Sequence, residues 1–181
     1  MGVAVIATIL TLSGVLAISV IGKVRNRESF NAFAEAITEL QAASARWSRP
    51  VAAASIAAEI GVLTLVLWPA SATVGLTAAV LLFAAFAIVL ARAVRRGSTA
   101  GCHCFGPTNT PVAWRHVIRS AFLAGAAAGA LPGAISLPTV SPAILEPSQF
   151  LVAVAIAVFV ATALVRLDDL TWLIRGVPHA R

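Results

Sequence analysis

The chain has two cysteines, Cys102 and Cys104, and they stand one residue apart in the run Gly101-Cys102-His103-Cys104-Phe105-Gly106-Pro107. Thiols at this spacing can reach disulfide geometry, because a Cα separation of about 4.4–6.8 Å is attainable across one intervening residue. The ring is tight, and strained, exposed disulfides exchange more readily than they staple. His103 between the thiols and Arg95 and Arg96 just before them favour the reactive thiolate. Gly101, Gly106 and Pro107 allow a turn that presents the pair. These residues predict a redox couple with Cys102 and Cys104 as the reacting groups. Two other readings stand beside it. The cysteines could be small buried hydrophobes, or they could hold a metal with His103 and His116 as further donors. Against a metal, zinc sites usually leave two to four residues between cysteines, and adjacent residues wrap one tetrahedral ion poorly.

The second residue type out of place is an acid in an apolar run: Glu59, between Val51 and Trp68. A carboxyl group about 13 Å into a span, at 1.5 Å per residue, is costly and by default a functional candidate that faces other helices. It could bind a quinone head group or relay protons. The alternative is a carboxyl hydrogen-bonded between helices as a packing device.

What positions these groups is a membrane scaffold. The 181 residues are 60% hydrophobic and 11% charged, whereas a soluble domain carries about 25% charged residues. A bilayer core takes about 20 apolar residues per helix. The runs 3–21, 51–68, 72–91, 117–135 and 150–165 meet or approach that length, the fourth being the weakest because it is rich in Ala and Gly and meets Pro132. The expected fold is an all-α transmembrane bundle forming one integral membrane domain over residues 1–181. Positive charge follows the first run at Lys23, Arg25 and Arg27 instead of preceding it, so that run reads as a retained span and not a signal peptide.

The net charge of +6 is distributed as punctuation between apolar runs, with no basic stripe, which argues against nucleic-acid binding. All thirteen Lys and Arg residues fall on one side of the five-span layout, while the Pro132–Gln149 loop opposite carries only Glu146. The positive-inside rule then places the N-terminus outside, and the C-terminus and the cysteine loop in the cytoplasm, with the chain in the inner (plasma) membrane. On this layout Lys23, Arg25 and Arg27 are anchors that snorkel to head groups.

Between the first two spans, Phe30, Phe33, Ile37, Leu40 and Trp47 recur at helical spacing, with Glu28, Glu35 and Glu39 on the other face. This predicts an amphipathic helix at the interface, either packed on the bundle or docking a partner. Gly125, Gly129 and Gly133 form two overlapping GxxxG spacings, expected to bring helices of the same bundle close together, with dimerisation of two copies as the alternative.

Several of these features in order resemble the MauE methylamine utilisation family of the broader DoxX-like membrane proteins. They are Gly22-Lys23-Val24-Arg25 closing the first span, Phe30 in the next helix, Arg49-Pro50 and Glu59-Ile60-Gly61 in the second span, and Arg92-Ala93-Val94-Arg95-Arg96-Gly97 closing the third. Cys102-His103-Cys104-Phe105-Gly106 and Trp114-Arg115-His116-Val117-Ile118-Arg119 continue the likeness, which covers about residues 5–130. The resemblance implies thiol-disulfide exchange with a thioredoxin-like partner during maturation of a disulfide-containing enzyme such as methylamine dehydrogenase. It implies Cys102 and Cys104 as the redox pair, with Lys23 and Glu59 at family-type positions. With one cysteine pair present, either a quinone meets the pair directly or a partner supplies the rest of the relay. The rival functions are a non-enzymatic assembly scaffold and a metal-binding membrane protein.

Overall fold

The computed structural model describes residues 2–98, 112–136 and 146–165. Six α-helices and no strands occur among them: α1 (Gly2–Val24), α2 (Arg27–Glu39), α3 (Ser48–Leu67), α4 (Ala72–Arg95), α5 (Trp114–Ser136) and α6 (Pro147–Val165). All but α2 are long and apolar enough to cross a bilayer, so each of the five expected spans is a helix. Even the run through Pro132 stays helical to Ser136, whose hydroxyl donates to the Pro132 carbonyl at 2.8 Å.

The burial pattern is that of a bundle in hydrocarbon. Leu81, Ile118, Ile135, Leu151 and Phe159 are exposed to 66% or more on the outer surface, while Lys23, Glu59, His116 and Arg119 are buried. Water as solvent would drive the apolar side chains inward and the charges outward; lipid removes that drive, and polar groups instead gather where other protein groups can satisfy them. Half of the α1 span is enclosed, against a third or less for every other span, so α1 is the central post, contacting α2, α3, α5 and α6. Its Val5, Ile9, Leu12, Val15 and Leu16 meet a set of small residues, Ala79, Ala127, Ala130, Ala134, Ala153 and Ala161. Small side chains permit the close helix approach on which van der Waals packing in lipid depends.

The tightest approach involves a glycine outside the GxxxG pattern. A Cβ on Gly75 of α4 would sit 2.5–2.8 Å from the backbone of Leu65 and Val66 in α3. The short turn through Trp68, Pro69, Ala70 and Ser71 folds α4 directly onto α3, and Ser71 secures it by donating to the Leu65 carbonyl at 2.9 Å. The expectation for the GxxxG pair of spacings holds only at Gly133, where a Cβ would come within 2.6 Å of Val5 in α1. Gly125 and Gly129 have open space around them; α5 turns its alanines, not these glycines, toward the core.

Consecutive helices alternate direction. The α1 C-terminus, α2, the α3 N-terminus, the α4 C-terminus and the α5 N-terminus share one end of the bundle, as do Arg119 of α5 and Leu164 near the end of α6, linked by a 3.5 Å hydrogen bond. Helix α2 caps this end. Asn26 accepts from the Ser29 N–H at 2.7 Å and so starts the helix, satisfying one of the four donors left open at any helix N-terminus. Phe33, Ala34 and Ile37 then bury against Ala52 and Ile56 on the first turns of α3. The amphipathic segment is therefore a packed connector. It ends before Trp47, which precedes α3 and is 58% exposed, because the chain reverses at Gln41 with φ +53°. Trp47 thus drops out of the apolar face expected from the spacing.

Candidate functional site

Lys23 occupies the second-to-last position of α1, where sequence logic places a head-group anchor. The structure corrects that expectation. Lys23 is 1% exposed, and its Nζ donates to Glu59 Oε1, itself in a residue fully enclosed by the bundle. Snorkelling needs a free path to the interface; here α2 folds back over the end of α1 and closes that path. The middle of α3, just beyond the turns that α2 packs on, carries Glu59 into reach instead. Glu59 faces the bundle interior, as its position in the apolar run required.

Two aromatic rings complete the enclosure of the ammonium. Its Nζ lies 4.6 Å from the Phe33 ring centroid and 5.6 Å from that of Phe86, both within the roughly 6 Å over which a ring face attracts a cation. An ammonium has three N–H donors, and the carboxylate takes one. Four helices contribute: α1 the lysine, α3 the acid, α2 and α4 the rings. A buried charge without its partner is costly in this setting, and each of these two is neutralised by the other.

The second carboxylate oxygen, Glu59 Oε2, has no hydrogen-bond partner among the described residues. It borders a cavity of about 20 Å³ shared with Ser19, Arg119 and Ser120. That volume admits one water and no organic ligand. Sequence reasoning placed Arg119 near the start of a span without a role; it is 5% exposed and donates through Nη1 to the Leu164 carbonyl, tying α5 to α6.

A larger cavity, about 210 Å³, lies on the other side of Lys23 under α2, with Phe33, Ile37, Leu40, Ser55, Phe86 and Leu90 in its wall. Its lining is apolar apart from Lys23 and Ser55.

Cys102, His103 and Cys104 lie outside the described residues, as does the tail after Val165. The two ends of the connection that carries them are described. Gly97 ends α4 with φ +70°, and its N–H donates to the Val94 carbonyl at 3.0 Å; a left-handed residue after a helix is the usual way to satisfy the last carbonyls. At the far end Val112 is buried on Leu90 and Ala93 of α4, with Leu40 packed alongside. Arg96 Nη1 donates to Gln41 Oε1 at 3.1 Å, linking the α4 terminus to the α2–α3 turn, while Arg95 is exposed. His116, considered above as a fourth metal donor, is 2% exposed, and its Nδ1 takes the Ala113 N–H at 3.2 Å as a helix cap. Among the described residues, no three His, Cys, Asp or Glu side chains cluster as a metal site.

The described chain is thus a polytopic membrane protein: a five-span helical bundle, capped at one end by a short amphipathic helix, with a Lys–Glu pair sealed inside that end. The family model of the methylamine utilisation protein MauE matches residues 1–132, which include this pair, α2 and the Cys102–Cys104 connection, and the chain belongs to that family. No curated protein and no solved structure matches it.

Proposed function

We propose that this MauE-family protein carries out thiol-disulfide exchange through Cys102 and Cys104 with a thioredoxin-like partner, during maturation of a disulfide-containing enzyme of the methylamine dehydrogenase kind. The observation that carries the reading is that the only two cysteines of the chain stand one residue apart within the stretch matched by the family model.

The exchange is written for a Cys102–Cys104 disulfide and a dithiol partner. A partner thiolate attacks one sulfur of the pair; the S–S bond breaks, a mixed disulfide forms, and the other sulfur leaves as a thiolate. The partner's second thiolate then attacks its own sulfur in the mixed disulfide. The partner leaves oxidised, the Cys102–Cys104 pair is left as a dithiol, and two electrons have moved with no further reagent. The reverse sequence reduces the partner.

The scaffold alternative relies on the interfacial helix and the GxxxG face as docking surfaces; the apolar face of α2 is covered by α3, whereas Gly125 and Gly129 have open space around them.

The test uses the full-length protein in a cell that matures such a client. Replacing one cysteine of the pair, as in Cys104→Ser, should trap a mixed disulfide with the partner, visible as a DTT-sensitive adduct on a non-reducing gel. The double Cys102→Ser/Cys104→Ser variant should show no adduct and should halt client maturation. Undiminished maturation in the double variant would refute the proposal.

A further inference from the structure

The cavity beneath α2 has an unusual combination of walls. Its lining is apolar except at two points, the Lys23 ammonium and the Ser55 hydroxyl, and Ser55 Oγ is a buried atom with no hydrogen-bond partner among the described residues. Lys23 donates one of its three N–H groups to Glu59, and the Phe33 and Phe86 rings flank the ammonium. Buried donors that lack oxygen or nitrogen acceptors are rare in folded proteins, because each forfeits the hydrogen bond it would make in water. Among the described residues neither finds that acceptor, and a ligand in the cavity would supply it.

We propose that this cavity is a binding site for a lipid-soluble quinone, its ring lying near Phe33 and Phe86 and its carbonyl oxygens accepting hydrogen bonds from Lys23 Nζ and Ser55 Oγ. Four observations select that class. Val51 on α3 and Ala85 on α4 line the cavity and are also exposed on the outer face of the bundle, so the cavity opens sideways to the lipid and receives a ligand dissolved there. The charge of Lys23 is already matched by Glu59, so a neutral ligand fits where a fatty-acid carboxylate or a phospholipid phosphate would add an uncompensated negative charge. A volume of about 210 Å³ falls below the roughly 300–1,000 Å³ of sites for drug-sized molecules; it takes one substituted ring, with any tail leaving between α3 and α4. Phe33 and Phe86 flank the ammonium and offer apolar faces to a flat ring, and offset stacking of rings adds to simple burial.

Binding here goes beyond the thiol-disulfide reading, since the lining residues it is argued from lie on α1, α2, α3 and α4. The full-length protein in lipid nanodiscs is photolabelled with an azido-substituted ubiquinone of short tail, with unlabelled decylubiquinone as competitor, and the label is located by peptide mass spectrometry. Labelling should saturate, be removed by competitor, and fall on the peptides that contain Phe33–Leu40 and Ala85–Leu90. Val89→Phe narrows the cavity from its rim without touching the ion pair, and should abolish competable labelling with little change in melting temperature. Ser55→Ala removes one donor and should weaken decylubiquinone about fivefold, the worth of one modest hydrogen bond. Cys102→Ser/Cys104→Ser should bind as the parent does, whatever becomes of client maturation. Labelling that does not saturate, that spreads over the lipid-facing surface, or that persists unchanged in Val89→Phe overturns the assignment, as does a tightly held phospholipid that decylubiquinone cannot displace from the cavity.

Discussion

Lys23 and Glu59 are 36 positions apart in the chain, on different spans, and their side chains join inside the bundle with both residues at 1% exposure or less. The contact pins the end of α1 to α3, and α2 is folded over it. Phe33 of α2 lies against the Lys23 ammonium, and both residues line the cavity under α2.

Removing one partner should therefore cost more than removing both. Lys23→Met leaves the Glu59 carboxylate unpaired and should destabilise the protein by about 3–5 kcal/mol, the usual penalty for orphaning a buried charge. Lys23→Met combined with Glu59→Leu should recover most of that loss. Thermal unfolding of the three proteins in one detergent checks this; a double variant as unstable as the single would show that the pair is not what matters there.

Gly75 and Gly129 provide a matched comparison on two spans. A side chain at Gly75 meets the α3 backbone at 2.5–2.8 Å, whereas one at Gly129 meets nothing within 4 Å. Gly75→Val should force α3 and α4 apart and cost at least the roughly 1–3 kcal/mol of ordinary overpacking, lowering both melting temperature and yield. Gly129→Val should be close to neutral in the isolated protein.

The start of α2 rests on one side chain, Asn26, which accepts from Ser29 N–H. Asn26→Ala should cost about 0.5–2 kcal/mol, the measured range for losing an N-cap. Because α2 is short and sits at the bundle end, the loss should appear as faster amide exchange over Arg27–Phe30, with the exchange of α1 and α5 unchanged.

All basic residues of the described chain, the buried Lys23 and Arg119 included, lie in or beside the end that carries α2, and the positive-inside rule predicts a cytoplasmic location for that end. In intact cells an impermeant maleimide should fail to reach Cys102 and Cys104 until the membrane is opened, and a single cysteine placed at Ser71 should label at once. Rapid labelling of the native pair from outside would reverse the assigned orientation and put the thiols on the same side as an extracytoplasmic client.

The residue string by itself determined the membrane character and the number of spans, with their limits to within about four residues, because hydrocarbon imposes a length and a composition that each segment must meet alone. It also determined that Glu59 had to face inward, since a carboxyl on the lipid face is too costly. The family was legible too, from motifs strung along one chain: Arg49-Pro50, Glu59-Ile60-Gly61 and the Cys102-His103-Cys104 run. Only the tertiary structure decided what depends on which helices become neighbours. Lys23 carries the local signature of a surface anchor, and its burial follows from α2 folding back over it. Gly75 looked ordinary while Gly125 and Gly129 looked like a packing motif; the roles were exchanged because a glycine is needed where another backbone arrives, and spacing within one helix does not specify that. The same holds for Arg119 and the Leu164 carbonyl, 45 positions apart, and for the cavity with Lys23 and Ser55 in its wall. Spans announce themselves one at a time, whereas partners are chosen by the packing of the whole bundle.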